Sequence, residues 1–273
     1  MRKKFQDYLI ISDMDGTFLS SDAKLIKNNI EAIRYFEDNG GTFTVATGRC
    51  YRALEIVFPN APKLINAPGI LCNGGYLYDF KNKQCKNALS INKEEMIPLI
   101  DELLTLFPDA GFRISCEAGF VCPNKTDYLA ERLVPYESIT KYEAIEDFFN
   151  MDWHKVVYCA EEELISNVHR HMRHYRLNDI KITASSPTLL EFIPKNSGKG
   201  SKICELRTIY HDKTLIGVGD FDNDLDMLTS VDVAACPDNA NEAVKKISSI
   251  HLCHHDEGCI ADLIYQLDSI KSK

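Results

Sequence analysis

The sequence lacks any long hydrophobic run. The apolar segment after its basic first residues is only Tyr8–Ile11, and Asp13 soon interrupts it. A signal-peptide core needs roughly 7–15 apolar residues and a membrane-spanning helix about 20. The sequence therefore predicts neither a signal peptide nor a membrane span, and we expect a cytoplasmic protein.

The sequence also has no excess of positively charged residues. The 273 residues include 31 Lys+Arg and 40 Asp+Glu, which gives a formal net charge of −9 at pH 7. A nucleic-acid-binding protein needs a basic footprint, so we expect no nucleic-acid partner. The 45% of hydrophobic residues is typical of an ordinary chain that buries a sizeable core. The acidic balance is nevertheless puzzling, because the motifs described below suit an anionic substrate.

No two cysteines have the CxxC spacing, although the chain contains ten cysteines. Most of them lie inside apolar runs, as Cys72, Cys159 and Cys204 do. Cysteine in such a run behaves as a small buried hydrophobic residue. The sequence therefore predicts reduced cysteines in a cytoplasmic protein.

The C-terminal region has the densest group of metal-binding residue types. Its spacing matches no standard zinc pattern, and no second pair of such residues lies nearby. The simpler interpretation is a short strand over 250–253, a polar loop and a last helix. The members of this group are His251, Cys253, His254, His255 and Cys259.

Two nucleotide-binding motifs are incomplete. The segment 197–201 resembles the end of a phosphate-binding loop, but Gly200 and Pro194 occupy positions where that loop needs Ser or Thr and Gly. The segment 217–222 lacks the third glycine of a dinucleotide-binding fingerprint. The sequence therefore predicts neither type of nucleotide site.

Short apolar segments alternate with amphipathic ones, which is typical of parallel βα units. Ligands bind at the carboxyl ends of the strands in such a sheet. Each polar strand end would by itself be an ordinary turn, but three of them, two with carboxylates, predict a metal site. These ends are 13–17 after the strand 8–12, 47–49 after the strand 42–46, and 219–224 after the strand 214–218.

The residues at these strand ends suit phosphoryl transfer. Mg²⁺ prefers oxygen ligands, which Asp13, Asp220 and a backbone carbonyl near Asp15 could supply. The Asp13 carboxylate could attack a phosphoryl group and form an aspartyl-phosphate. Asp15 could then protonate the leaving oxygen and activate water. The Thr47 hydroxyl and the Lys199 charge could bind the phosphoryl oxygens.

The chain resembles the haloacid dehalogenase (HAD) superfamily in four motifs along essentially its whole length. The segment 71–75 around Asn73 and the segment 191–194 also resemble the Cof-type phosphatases with a large α/β (C2B-like) cap. This resemblance implies an α/β fold: a Rossmann-like parallel sheet with helices on both faces, plus an inserted α+β cap domain. The four motifs are Asp13-x-Asp15-Gly16-Thr17, Thr47-Gly48-Arg49, Lys199 and Gly219-Asp220-x-x-Asn223-Asp224.

The resemblance also implies a role for each motif residue. Asp13 would be the nucleophile and Asp15 the acid/base, with Thr47 and Lys199 completing the catalytic group. The implied Mg²⁺ ligands are Asp13, Asp15 through its carbonyl, Asp220 and Asp224, the last supporting either the metal or Lys199. The residues implied to bind phosphate or substrate are Thr47, Gly48, Arg49, Asn73, Lys199 and Asn223.

The second and third motifs, at Thr47 and Lys199, are 152 positions apart, far more than the usual loop of 2–6 residues. The pattern between them mixes helices and strands, which predicts an α+β domain. We expect a discontinuous core over 1–81 and 195–273 and a cap over 82–194, which begins with a polar linker over 82–84. The cap would act as a lid that excludes water, although a passive insertion is the alternative.

These observations predict a Mg²⁺-dependent phosphatase of small phosphorylated metabolites, with sugar phosphates as the expected substrates. A phosphomutase of the same superfamily would use the same motifs. A receiver-like signalling domain also places an acceptor Asp, a Thr and a Lys at strand ends, but Asp15 and the long insert argue against it. We expect a monomer or a weak homo-oligomer.

Overall fold

The computed structural model describes residues 3–271. The strands are β1 (Tyr8–Ser12), β2 (Thr42–Val45), β3 (Gly69–Leu71), β4 (Tyr76–Asp79), β5 (Gln84–Lys86), β6 (Gly111–Cys116), β7 (Gly119–Cys122), β8 (Thr140–Tyr142), β9 (Lys155–Cys159), β10 (Ile180–Ser186), β11 (Leu189–Pro194), β12 (Thr214–Val218), β13 (Val233–Cys236) and β14 (Ile250–His251). The helices are α1 (Lys27–Asp38), α2 (Tyr51–Val57), α3 (Ala61–Leu64), α4 (Lys93–Leu106), α5 (Asp127–Leu133), α6 (Glu162–Met172), α7 (Lys199–Ile209), α8 (Leu225–Leu228), α9 (Glu242–Ile247) and α10 (Cys259–Lys271). None of the helices in this described range has the length and apolar character needed to cross a bilayer.

The chain folds into two compact units, and the first contains a parallel sheet. This unit comprises the residues up to Gly48, Val57–Lys86 and the residues from Gly198 onward. Its sheet has the order β14-β13-β12-β1-β2, with every pair parallel. Leu9 and Ile11 in β1 are completely buried, as expected for a central strand of a parallel sheet. The predicted α/β class with a parallel core is confirmed.

Helix α1 follows the predicted amphipathic pattern. Ile33 and Phe36 are completely buried, and the helix ends just before Gly40, whose φ of +92° favours glycine. Asn29 is buried on the same helix, where its amide donates to the Phe18 carbonyl and accepts from the backbone N–H of Ala261. This side chain therefore joins the segment after β1 to the start of α10.

A hairpin occupies the segment that the sequence suggested was a polar linker, residues 82–84. Strand β5 begins at Gln84 and pairs with β4, which also pairs with β3. The Asp79 carboxylate accepts hydrogen bonds from the Lys86 ammonium and the Asn82 backbone N–H. These hydrogen bonds lower the pKa of Asp79, and the bond from Lys86 has the largest effect. The polar residues over 81–83 thus form a capped turn, and the linker interpretation was wrong.

The second unit comprises Arg49–Ile56 and Asn87–Ser197. Its six-stranded sheet has the order β10-β11-β9-β6-β7-β8 and is antiparallel except for the β7–β8 pair. One core combines buried residues of α4 and α6 with those of the sheet, including Ile100, Val168 and Phe192. This arrangement matches the α+β pattern predicted for the insert. The domain boundaries at 82 and 194 stay a prediction.

All ten cysteines lie within the described residues, and none of them forms a disulfide. Seven are buried, among them Cys72 and Cys159, as their apolar neighbours predicted. Cys204 is exposed instead, because α7 turns Ile203 and Leu206 into the core and leaves Cys204 on its outer face. The prediction of burial was wrong for Cys204.

Candidate active site

Strand β1 delivers Asp13 to the carboxyl end of the parallel sheet. The backbone N–H of Asp13 donates to the Val218 carbonyl at 2.8 Å, which extends the pairing with β12 by one residue beyond the end of β1. The chain then makes a tight turn over Met14–Phe18, in which Gly16 has a φ of +84°. A Cβ at Gly16 would lie 2.5 Å from Asp220 Oδ2, so glycine permits the close approach of this turn to Asp220.

Strand β12 delivers the second group of acids. The Thr17 hydroxyl donates to Asp220 Oδ1 at 2.7 Å, so the two loops share a hydrogen bond across 203 positions of sequence. Asp224 is completely buried, and its Oδ2 accepts from the backbone N–H groups of Asp220 and Phe221 at 3.0 and 3.2 Å. Asp224 therefore fixes the loop that carries Asp220.

Lys199 is the residue on which these carboxylates converge. It is the first residue of α7, and its side chain is completely buried. The Lys199 Nζ lies 2.6 Å from Asp13 Oδ1 and 2.6 Å from Asp224 Oδ1. The structure thus brings together three predicted motifs, and the contact between Asp224 and Lys199 is direct.

The second motif lies beside the loop that contains Asn73. The backbone N–H of Asn73 donates to the Thr47 carbonyl at 3.0 Å, and both residues are buried. Gly74 follows with a φ of +86°, and a Cβ there would lie 2.0 Å from the Gly198 carbonyl oxygen. Gly74 thus allows this turn to pack against the backbone that precedes Lys199.

The remaining predicted site residues have different surroundings. Asp15 is exposed, and Asn223 is half-buried. Gly48 follows Thr47 at the end of the first segment of the parallel-sheet unit. Arg49 belongs to the second unit, where its guanidinium donates to the Tyr136 hydroxyl. The predicted roles of these four residues, like those of the other site residues, stay predictions.

Burial and mutual charge interactions shift the pKa values of Asp13, Asp220 and Lys199. Burial raises the pKa of Asp13 well above its usual range, while Lys199 opposes this shift and Asp224 adds to it. Burial and the charge of Asp224 raise the pKa of Asp220 to about 6, although the hydrogen bond from Thr17 lowers it. Burial alone would lower the pKa of Lys199, but the attraction of Asp13 and Asp224 outweighs it and the pKa rises.

The acidic cluster fits a hard divalent cation. Carboxylate oxygens of Asp13, Asp220 and Asp224 lie within 4.8 Å of one another. Lys199 supplies one positive charge to these three groups, so the cluster has two negative charges in excess when all three are ionised. Carboxylate oxygens are the ligands that Mg²⁺ prefers, and its charge would offset the excess.

Two residues support the site although no motif identified them. The Asn239 amide donates to the Gly16 carbonyl at 2.8 Å and thereby holds the tight turn after Asp13. A positive charge on the buried imidazole of His255 would lower the pKa of Asp220. The Asn239 contact spans 223 positions, and the proximity of His255 to Asp220 depends on how the last turn packs, so no local sequence pattern indicates either of them.

Similarity to known proteins extends over nearly the whole chain. Residues 10–264 match the haloacid dehalogenase-like hydrolase family. The 5-amino-6-(5-phospho-D-ribitylamino)uracil phosphatase YwtE of Bacillus subtilis is 24% identical, and the alignment covers 94% of this chain and 97% of that protein.

Solved structures share the fold at low sequence identity. A haloacid dehalogenase-like hydrolase from Bacteroides thetaiotaomicron superposes with a TM-score of 0.82 at 21% identity, covering 95% of this chain and 99% of that one. A HAD subclass IIB sugar phosphatase gives a TM-score of 0.75 at 19% identity, with coverages of 96% and 99%. From the family match over residues 10–264, the chain belongs to the haloacid dehalogenase-like hydrolase family, in its Cof-type branch, and is a phosphatase.

Proposed function

We propose that this phosphatase hydrolyses small phosphorylated metabolites, sugar phosphates among them, with Mg²⁺ and through an aspartyl-phosphate on Asp13. The observation that carries this proposal is the buried Asp13 carboxylate, held by Lys199 at 2.6 Å beside Asp220 and Asp224. A carboxylate fixed in this way is oriented before the substrate arrives, which lowers the entropic part of the barrier.

In the first step an Asp13 carboxylate oxygen attacks phosphorus, and the bond from phosphorus to the leaving oxygen breaks. Asp15 donates a proton to that leaving oxygen. The exposure of Asp15 suits this role, because its side chain must reach both the leaving group and water. Mg²⁺, held by Asp13, Asp220 and a carbonyl near Asp15, would supply positive charge for the phosphoryl oxygens.

In the second step Asp15 accepts a proton from water while the water oxygen attacks phosphorus. The bond between phosphorus and Asp13 breaks, which releases inorganic phosphate and regenerates the Asp13 carboxylate. Lys199 stabilises the negative charge of Asp13 in both steps, and Asp224 holds the Lys199 ammonium in place.

The contacts to phosphate follow from the strand ends. We assign them to the Thr47 hydroxyl, the Gly48 amide, the Asn223 amide and the Lys199 ammonium. Asn73 supports Thr47 through the hydrogen bond to its carbonyl.

The substrate class is supported by two similar proteins. One is named as a phosphatase of a phospho-ribitylamino-uracil, and the other as a sugar phosphatase. Both names describe a phosphate monoester on a small polyol or sugar. A substrate-binding role for Arg49 also belongs to this proposal. The cytoplasmic location and the monomeric or weakly associated state remain predictions.

Assays of phosphate release test the proposed function. We expect turnover of para-nitrophenyl phosphate and of several sugar phosphates in the presence of Mg²⁺, and loss of that turnover on chelation. A rate that chelation leaves unchanged would contradict the metal assignment. An isomerised sugar phosphate without free phosphate would indicate a phosphomutase. A stable phosphoprotein without turnover would indicate a signalling domain.

The affinity for Mg²⁺ is expected to decrease as pH falls below about 6. The pKa of Asp220 is raised to about 6, so below that pH the carboxyl must lose a proton before it can bind the ion. One competing proton weakens binding by about tenfold for each pH unit. Isothermal titration with Mg²⁺ between pH 5 and 8 measures this slope, and an affinity that is flat across the range would contradict it.

Thr17→Val provides the matched variant for this measurement. It keeps the shape of a completely buried side chain but removes the hydrogen bond to Asp220 Oδ1. That hydrogen bond lowers the pKa of Asp220, so its loss should move the pH midpoint for Mg²⁺ binding upward. An unchanged or lower midpoint would show that Asp220 does not set the pH dependence.

A further inference from the structure

A second cluster of metal-binding side chains lies between β14 and α10. Within residues 3–271, two groups of at least three such side chains have their ligand atoms within 4.8 Å of one another. One is the acidic cluster of the active site. The other consists of His254, His255 and Asp256, which the short turn His255–Glu257 brings together.

Hydrogen bonds fix which nitrogen of each histidine carries a lone pair. His255 Nδ1 lies 2.7 Å from the Leu19 carbonyl, and since a carbonyl only accepts, Nδ1 carries the proton and Nε2 the lone pair. The His254 Nδ1 lone pair accepts only a long hydrogen bond, from the backbone N–H of Asp256 at 3.3 Å, and a metal ion would take the place of that bond. A metal-bound histidine commonly donates its other ring N–H to a carbonyl in this way.

The third side chain is held in place by Ser21. Its backbone N–H donates to Asp256 Oδ1 and its hydroxyl to Asp256 Oδ2, each at 2.7 Å. Asp256 Oδ2 lies 3.6 Å from His254 Nδ1 and 3.9 Å from His255 Nε2, and a carboxylate oxygen has a further lone pair available.

The neighbouring cysteine and histidine of the sequence cluster are engaged elsewhere. The Cys259 thiol donates to the Thr17 carbonyl at 3.1 Å, and burial raises its pKa, so it stays protonated. His251 Nδ1 lies 3.9 Å from the Cys236 sulfur. Within residues 3–271, Cys253 is not among the side chains whose ligand atoms group around Asp256, so this is a nitrogen and oxygen site. Such ligands favour zinc and its neighbours in the first transition row over Mg²⁺.

We propose that His254 Nδ1, His255 Nε2 and Asp256 Oδ2 form a binding site for a divalent transition-metal ion of the zinc class. In a tetrahedral zinc site, bonds of 2.0–2.1 Å place ligand atoms about 3.3 Å apart. The observed separations are somewhat larger, and the partly exposed His254 side chain can rotate to close them, while His255 is already fixed. Water or the Ser21 hydroxyl, whose oxygen lies 3.4 Å from His255 Nε2, would occupy the fourth position.

Cobalt(II) is the probe for this site, because its visible absorption reports four-coordinate nitrogen and oxygen ligands. The full chain is titrated with Co²⁺ in a large excess of Mg²⁺, which competes for the acidic cluster. We expect one Co²⁺ bound per chain with tetrahedral-type absorption, and its displacement by Zn²⁺. Absence of that absorption would overturn the proposal.

Three variants test where the Co²⁺ ion binds. His254→Gln removes one ligand but leaves the buried His255 untouched, and should weaken Co²⁺ binding by more than about tenfold. His251→Gln, an exposed change in the same histidine-rich segment, should leave binding unchanged. Asp220→Asn removes a ligand of the acidic cluster and should preserve the cobalt absorption. Binding that is insensitive to His254→Gln, or lost with Asp220→Asn, would place the ion elsewhere and contradict the proposal.

Discussion

Replacement of Asp13 by asparagine is expected to reduce phosphate release by about 10⁴-fold or more, the scale seen when a covalent nucleophile is removed. The amide is nearly the same size as the carboxyl but does not form the acyl phosphate. The measurement is steady-state release of phosphate at saturating Mg²⁺ and substrate. Activity close to that of the unmodified chain would contradict the first chemical step.

The same variant should not lose stability. The raised pKa of Asp13 means that the fold disfavours its charged form. Above the pKa of the unfolded chain, ionised Asp13 therefore lowers the free energy of unfolding, and Asp13→Asn removes that effect. We expect an equal or higher melting temperature in the absence of metal at pH 7. Asp222→Asn is the matched control, because Asp222 is exposed and bonds the Asn241 amide, and it should leave activity unchanged.

Replacement of Lys199 by methionine is expected to lower both activity and stability. Loss of the charge beside the reacting carboxylate should reduce turnover by about 10²–10³-fold. Loss of a completely buried ammonium leaves Asp13 and Asp224 unpaired, and breaking a buried ion pair in this way destabilises a protein by about 3–5 kcal/mol. Phosphate-release assays and denaturant unfolding measure the two effects.

The stability loss of Lys199→Met should depend on pH. Protonation of the carboxyls relieves their repulsion, so the loss should be smaller at pH 5 than at pH 8. Lys202→Met is the matched control, because Lys202 lies in the same helix, is 2% exposed and pairs with Glu205 at 2.6 Å. It should retain turnover. An equal loss of turnover in both variants would mean that Lys199 acts only through packing.

The sequence was sufficient to predict that the acidic strand ends after β1 and β12 meet. Parallel βα units place their carboxyl ends on one edge of the sheet, so Asp13 and Asp220 could be assigned to one site despite their separation along the chain. The buried apolar strands and the amphipathic helices are local patterns of period 2 and 3.6, which the sequence displays directly. The α/β class with its inserted α+β domain followed from those patterns.

The sequence could not predict the contacts that orient the site. The bonds from Thr17 to Asp220 and from Asn239 to Gly16 span more than 200 positions, and no local pattern encodes them. The double role of Asp224, which holds both a loop and Lys199, likewise depends on how two elements pack. The motif resemblance left its role open between the metal and Lys199.

Two predictions that were based on local polarity were wrong. Residues 82–84 are polar enough for a linker, yet the Asp79 carboxylate caps them into a hairpin turn. Cys204 follows an apolar residue, but a helix turns successive side chains by about 100°, so neighbours in sequence do not share a face. Both errors arose because turn hydrogen bonds and burial depend on the folded structure and not on the types of the neighbouring residues.

In the proposed mechanism Asp13 accepts the phosphoryl group and Asp15 assists its transfer to water. The most direct test uses Asp15→Asn, which should slow both steps and allow the phosphoenzyme to accumulate. The variant is mixed with Mg²⁺ and a phosphorylated substrate, quenched in acid, digested and mapped by mass spectrometry. We predict one added phosphoryl group on the peptide that contains Asp13, absent from the Asp13→Asn, Asp15→Asn double variant. A phosphoryl group on another residue, or turnover without any covalent adduct, would contradict the account.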